Sequence, residues 1–247
     1  VMLLALALPW PVAAQDSPEI SGRNRVLSAG GNHTCALAAD GSVECWGQNA
    51  RGQAPPLRAG SYTTLAAGGS HTCGLTAAGS VECWGDNGVG QAPPTRAGTY
   101  SALAAGTAHA CGLMASGSVE CWGLNNSGQA PPTRVGSYIA LSAAGSQTCG
   151  LKADGSIECW GLNNYGQAPP TRSGSYTALS AGINHACGLK ADGSVECWGR
   201  NDYLQAPPTR AGSYSALAAG GFHTCGLKAD GSVECWGNNA NGQAPSN

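Results

Sequence analysis

The sequence is short of most of what an ordinary core is built from. Only 35 of its 247 residues are Leu, Val, Ile or Phe, with a single Phe and two Met among the large apolar side chains, a thin supply for a globular domain. Charge is equally sparse, 12 basic residues against 14 acidic ones for a net −2. A nucleic-acid backbone is gripped by clustered Lys and Arg, which are absent, and no run of 18 apolar residues exists to span a bilayer. The expected partners therefore include no nucleic acid and no membrane insertion. Low apolar content joined to high net charge would mean disorder, but here the charge is near zero while Cys (12) and Trp (7) are plentiful. The expectation is a folded chain held together by unusual means. No nucleotide-binding loop, Ser/His/Asp arrangement or calcium loop is found, so no catalytic residue, cofactor or metal is assigned.

The first residues read as an address. Met2 to Leu8 form a short apolar run, Pro9-Trp10-Pro11 breaks it, and Val12-Ala13-Ala14 supplies the small residues that a signal peptidase needs. A secretory signal over 1–14 and a short linker over 15–20 are expected, although no charged leader precedes the run. The product is then secreted, periplasmic or on the cell surface.

From residue 21 onward the chain repeats. Cys35, Cys73, Cys111, Cys149, Cys187 and Cys225 stand 38 residues apart. Each is followed ten residues later by a second Cys: Cys45, Cys83, Cys121, Cys159, Cys197 and Cys235. One domain over 21–247 thus holds six units, 21–58, 59–96, 97–134, 135–172, 173–210 and 211–247. Within a unit, Tyr62–Ala67, His71–Ala77 and Val81–Gly85 are short β-prone segments. A Gly-Gly pair separates the first two, and a tight Gly-containing turn the last two. The connector with Pro93-Pro94 offers no ladder donors at its prolines and leads to the next unit. Small sheets recurring every 38 residues, without helical periodicity, indicate an all-β six-bladed β-propeller with about three strands per blade. The ring is expected to close by direct contact of the first and last blades. Asn24 stands where the other units have Tyr62, Tyr100, Tyr138, Tyr176 and Tyr214, marking the first strand as a seam.

The phrase Ala-Ala-Gly-Gly-Ser-His-Thr-Cys-Gly-Leu, the turn, and Val-Glu-Cys-Trp-Gly-Asp-Asn-x-x-Gly-Gln resemble the repeat of the regulator of chromosome condensation family. The likeness covers residues 21–247 and looks closest to an exported bacterial branch that includes a propeller-type inhibitor of β-lactamases. That family usually builds seven blades where this chain counts six, and many members lack the Cys pairs. The resemblance implies the fold and says little of the partner.

Recurring residues read mainly as architecture. With a three-residue turn such as Ala39-Asp40-Gly41, Cys35 falls opposite Cys45, so six within-unit disulfides are the leading reading, each stabilising by roughly 2–3 kcal/mol. The rival is a metal site from His33, Cys35 and Cys45. Against it, Gln147 replaces His in the fourth unit while its Cys pair stays. His33, His71, His109, His185 and His223, the Glu series from Glu44 to Glu234 and the Arg series from Arg58 to Arg210 recur as rings. Catalysis instead gathers unlike groups at one place. The Trp series is read as packing between blades, with Gly74 and its equivalents making room for a neighbouring indole. Asn32-His33-Thr34 and Asn125-Asn126-Ser127 fit the glycosylation sequon.

The leading function is an exported module that binds another protein through one loop rim, with inhibition of a secreted or periplasmic enzyme as a narrower form. A structural or surface-adhesion protein is the alternative, and an enzyme is the least favoured. The Asp-Gly turns hardly vary, whereas the loops of the opposite rim do. Leu124, Leu162, Tyr165, Ile183, Tyr203, Leu204 and Phe222 concentrate apolar and aromatic character on the third to sixth units, and together with Arg200 and Asp202 of the varying loop these are the expected partner-binding residues.

Overall fold

The computed structural model describes residues 26–245, so the segments read as signal and linker lie outside it, as does Asn24. Eighteen strands form six antiparallel sheets of three, each in the order first-second-third. Unit 1 holds Val26–Ala29, His33–Leu37 and Val43–Gly47; unit 2, Tyr62–Ala67, His71–Thr76 and Val81–Gly85; unit 3, Tyr100–Ala105, His109–Met114 and Val119–Gly123. Unit 4 holds Tyr138–Ala144, Gln147–Lys152 and Ile157–Gly161; unit 5, Tyr176–Ala181, His185–Lys190 and Val195–Gly199; unit 6, Tyr214–Ala219, His223–Lys228 and Val233–Gly237. The first strands of successive units approach one another and are innermost. They enclose a cavity of about 480 Å³ lined from all six units by Ala, Gly, Ser, Leu, Thr107 and Ile183, without a charged side chain. No helix among the described residues is long and apolar enough to cross a membrane.

Local chemistry explains the regularity. In the second-to-third strand turn, Gly41 takes φ 83°, a left-handed value that glycine adopts freely, and Asp40 accepts from the Ser42 amide and hydroxyl at 2.9 and 2.6 Å. The third strand would be a bare edge. The connector covers it by a two-way bridge, Val81 N–H to Arg96 C=O at 3.0 Å and the reverse at 2.7 Å. Cys35 pairs with Cys45 across the ladder, and all six such pairs are disulfides with no free cysteine. Both sulfurs of Cys35 and Cys45 are therefore committed, which removes the His33 metal reading.

The core is divided among the junctions. Between units 1 and 2, the disulfide, Leu37, Val43 and Ala54 of one unit meet Tyr62, Leu65 and Trp84 of the next. Between units 3 and 4, Leu113, Val119 and Ala130 meet Tyr138 and Trp160 in the same way. The Trp84 indole donates to the Gln53 carbonyl at 3.1 Å, and Arg58 sits 4.5 Å above its ring. Arg58 and Tyr62 both donate to Glu82, at 3.0 and 2.5 Å. The Arg and Glu series are thus inter-unit ion pairs, partly exposed and individually worth little, that clamp the indole from outside. Gly74 plays a different part from the one expected: a Cβ there would lie 2.6 Å from the Tyr62 ring of its own unit, so it makes room for that tyrosine and not for a neighbouring indole. Unit 1, whose first strand lacks the tyrosine, carries Ala36 at this position.

The histidines complete the junctions. His33 Nε2 lies 2.7 Å from the Thr72 hydroxyl, which itself donates to the Gln53 carbonyl at 3.0 Å. That hydroxyl has one proton, so it must accept from the ring, which places a proton on Nε2. His109–Thr148 and His185–Thr224 repeat the arrangement at 2.8 Å. His71 faces Ala110, which has no hydroxyl. Burial pushes His71, His109 and His185 down to about 4, so they are uncharged at neutral pH. Gln147 replaces imidazole chemistry by donating to the Gly182 and His185 carbonyls at 2.9 and 2.8 Å.

The six-bladed architecture matches the expectation, and among the described residues the five junctions between successive units each have a packed core cluster while none joins units 6 and 1. Trp46 is 38% exposed where Trp84 is 7%, and Leu227 is 39% exposed where Leu75 is 5%. Elsewhere the tyrosine of the incoming unit fills this face.

Candidate functional site on the loop rim

Two loops of each unit emerge together, because the residue after the third strand donates to the loop between the first two: Gln48 N–H to Asn32 C=O, Arg200 to Asn184 and Asn238 to Phe222, each 2.8 Å. The Asp-Gly turns lie at the other end of the strands. The second loop has a fixed internal clip. In unit 5, the Asn201 side chain accepts from the Ala206 amide at 2.8 Å and the Gln205 side chain accepts from the Tyr203 amide at 2.9 Å. The same two bonds recur in unit 4 through Asn163 and Gln167. The clip leaves the intervening residues free to vary and holds them still.

On units 4 to 6 those residues meet. The Arg200 guanidinium lies 5.3 Å from the Tyr165 ring centre and 5.7 Å from that of Phe222. Tyr203 packs edge-on against Phe222 at 5.9 Å. Asp202 accepts from Arg200 Nε at 2.6 Å, a contact that raises the Arg200 pKa and leaves the pair electrically neutral. Ile183 lies against Gly221, where an added Cβ would be 3.2 Å from its Cδ1. One connected surface thus spans three units: Tyr165 from unit 4, Ile183, Arg200, Asp202 and Tyr203 from unit 5, and Phe222 from unit 6. Tyr165, Ile183, Tyr203 and Leu204 expose 51, 44, 46 and 72% of their surface, so the apolar area is available and not folded inward.

Leu124 and Leu162 stand apart from this cluster. Both are half-buried at the start of their loops, where their amides donate to Ala108 and Ser146. Val89, on the same rim, is 47% exposed and was not foreseen. Over units 1 and 2 the rim carries a partly exposed Arg51–Asp86 pair at 3.3 Å, with Val89 as its exposed apolar side chain. Variation is also not confined to this rim. In unit 4, Val135 and Ile139 are 85 and 57% exposed on the turn side, where units 2, 3, 5 and 6 carry Ala or Ser and Thr or Ser.

The repeat model described as "Regulator of chromosome condensation (RCC1) repeat" matches residues 26–53, 62–91, 100–129, 176–205 and 214–243, more than half of the chain. The chain belongs to this family. Unit 4, with Gln147 in the histidine position, is the one outside the matched segments. No curated protein sequence matches the chain. Among solved structures, the entire ectodomain of the Physcomitrella patens receptor kinase CR4 is 30% identical with a TM-score of 0.73, over 90% of this chain and 64% of that one. The chain therefore spans less than two thirds of that ectodomain. The CRINKLY WD40 ectodomain of the Arabidopsis thaliana receptor kinase ACR4 is 28% identical with a TM-score of 0.72, over 89 and 81%. Prp20p from Saccharomyces cerevisiae, described with its binding to Gsp1p and histones, is 19% identical with a TM-score of 0.72 over 85 and 71%, and shares the fold. The two receptor ectodomains and Prp20p thus share the propeller architecture of this chain over 85–90% of its length.

Proposed function

We propose that this chain is an exported protein-binding propeller that engages its partner through the loop rim of units 4 to 6. The observation that carries the reading is the connected and neutral surface of exposed Tyr165, Asp202 and Tyr203 with half-buried Arg200 and Phe222, built from loops that the repeat does not need to be alike. Aromatic residues and Arg on a rigid support are the side chains that dominate binding energy at protein interfaces. Six disulfides support an oxidising compartment, and the signal over 1–14 is the route to it. Inhibition of a secreted or periplasmic enzyme is the narrower form of this reading, in which the rim would cover the enzyme's active-site entrance. The test is affinity capture from the native secretome with the wild-type chain, the combined Tyr165→Ala, Tyr203→Ala and Phe222→Ala variant, and a variant altered in the Asp-Gly turns. Capture lost only with the rim variant supports the reading. Capture that survives it and fails with the turn variant places the binding surface at the other end.

A further inference from the structure

Leu204 is the one non-glycine residue with positive φ among the described residues, at 62°. The other five units place Gly52, Gly90, Gly128, Gly166 and Gly242 at this point, with φ between 74 and 81°. The loop clip imposes that left-handed backbone, and a side chain with a Cβ disfavours it. Packing gives Leu204 no compensation: a Cβ added at any of the five equivalent glycines has no atom within 4 Å, and the leucine itself is 72% exposed. The loop does not need it either. Leu204 N–H to Asn201 C=O at 3.0 Å is a backbone bond that glycine makes equally in Gly52 and Gly90. The residue is therefore unfavourable for the fold twice over, in backbone conformation and in exposed apolar surface, and it sits beside Tyr203 at the edge of the rim cluster.

We infer that Leu204 is an anchor that inserts into an apolar pocket on a separate protein, an inference that rests on the rim being the binding surface. The chemistry of the surroundings defines the pocket. Arg200 is neutralised by Asp202 and flanked by rings, so the rim around the leucine offers no net charge. A complementary pocket is uncharged, and concave to receive a projecting tip. The clipped loop adds to the case, since a backbone already fixed around the leucine loses little freedom on binding.

The experiment uses the full chain and, as its probe, the protein that co-purifies with the wild type from the native secretome, titrated by calorimetry against Leu204→Gly, Leu204→Ala and the Tyr165/Tyr203/Phe222 triple variant, with thermal melts of each. Leu204→Gly restores the residue of the other units, so its melting temperature should rise while affinity falls at least tenfold. Leu204→Ala keeps the strained backbone and should lose similar affinity without the gain in melting temperature. The anchor assignment is overturned if both Leu204 variants bind within twofold of wild type while the triple variant is impaired. If neither the Leu204 variants nor the triple variant loses affinity, or the wild type captures no protein, the rim reading itself fails. Leucine-dependent binding of the chain to phosphatidylcholine vesicles, or Leu204-dependent self-association in sedimentation, would also overturn it, by replacing the protein pocket with a membrane or a second copy.

Discussion

Replacing one tryptophan at a time measures whether the junctions are independent and whether the ends of the array meet. Trp122 is 6% exposed, donates to the Gln91 carbonyl at 3.2 Å, lies 4.7 Å beneath Arg96 and meets Tyr100 edge-on at 6.3 Å. Truncating such a buried indole leaves a cavity and an unpaired carbonyl, and Trp122→Ala should cost about 3–5 kcal/mol. Trp46 is the same residue type at the same place in its unit, but 38% of it is exposed and it belongs to no core cluster among the described residues. Trp46→Ala should cost no more than about 1 kcal/mol, the range for positions outside a packed core. Urea unfolding of both variants with the disulfides intact, followed by tryptophan fluorescence and by circular dichroism, reads the difference directly. Equal losses at the two sites would refute the reasoning, because they would mean that unit 1 is packed as tightly as the units that follow it. Two separate transitions in the Trp122→Ala protein are an acceptable outcome, since a repeat array can break at its weakened junction.

Acid should loosen the junctions in a defined window. The folded state holds His71, His109 and His185 near pKa 4 by burial, while the unfolded chain takes up their protons near 6.5. Their contribution is therefore full above about pH 6.5 and lost as pH falls towards 4, at most on the order of 3 kcal/mol per imidazole. Hydrogen bonds from Lys228, Arg210 and Tyr214 hold Glu234 down to about 2, so its contribution is present above about 4.5 and fades below that. A urea midpoint that stays level from pH 7 to 4.5 would contradict this. Ala110→Thr gives His71 the hydroxyl that His33, His109 and His185 possess and should stabilise by about 1 kcal/mol; no gain in the urea midpoint would mean that the ring is already satisfied. Replacing the Cys111–Cys121 pair by alanines should cost roughly 2–3 kcal/mol under non-reducing conditions, and an unchanged midpoint would show that the cross-strand pairing alone carries unit 3.

The repeat made most of the fold readable before any coordinates. A 38-residue period, a glycine turn and directly opposed cysteines specify a three-stranded antiparallel unit with an internal disulfide, and Gln147 showed in advance that the cysteine pair does not require the imidazole. Contacts that cross from one unit to the next were harder to read. Nothing local in Gly74 says that it faces the tyrosine of its own first strand, because the answer depends on how the bulged strand starting at Tyr62 lies over the second. The junction of units 6 and 1 was harder for a related reason: counting units gives the number of blades and says nothing of how tightly Trp46 and Leu227 are covered, and both are more exposed than their counterparts Trp84 and Leu75. For the rim, comparing units found Tyr165, Tyr203 and Phe222, but Arg200 as the group that joins them is a tertiary fact. The strain at Leu204 was legible in principle, since glycine fills that place in the other five units, and only the loop geometry gives it meaning.

The central claim is that the loop surface of units 4 to 6 is where this propeller meets another protein, and hydrogen exchange of the chain with and without its captured partner tests it most directly. The account expects added protection at the amides of residues 163–166, 200–205 and 221–223, with the Asp40, Asp154, Asp192 and Asp230 turns unchanged. Protection that appears at those turns or around Val135 and Ile139, with the rim loops exchanging as in the free chain, would contradict it.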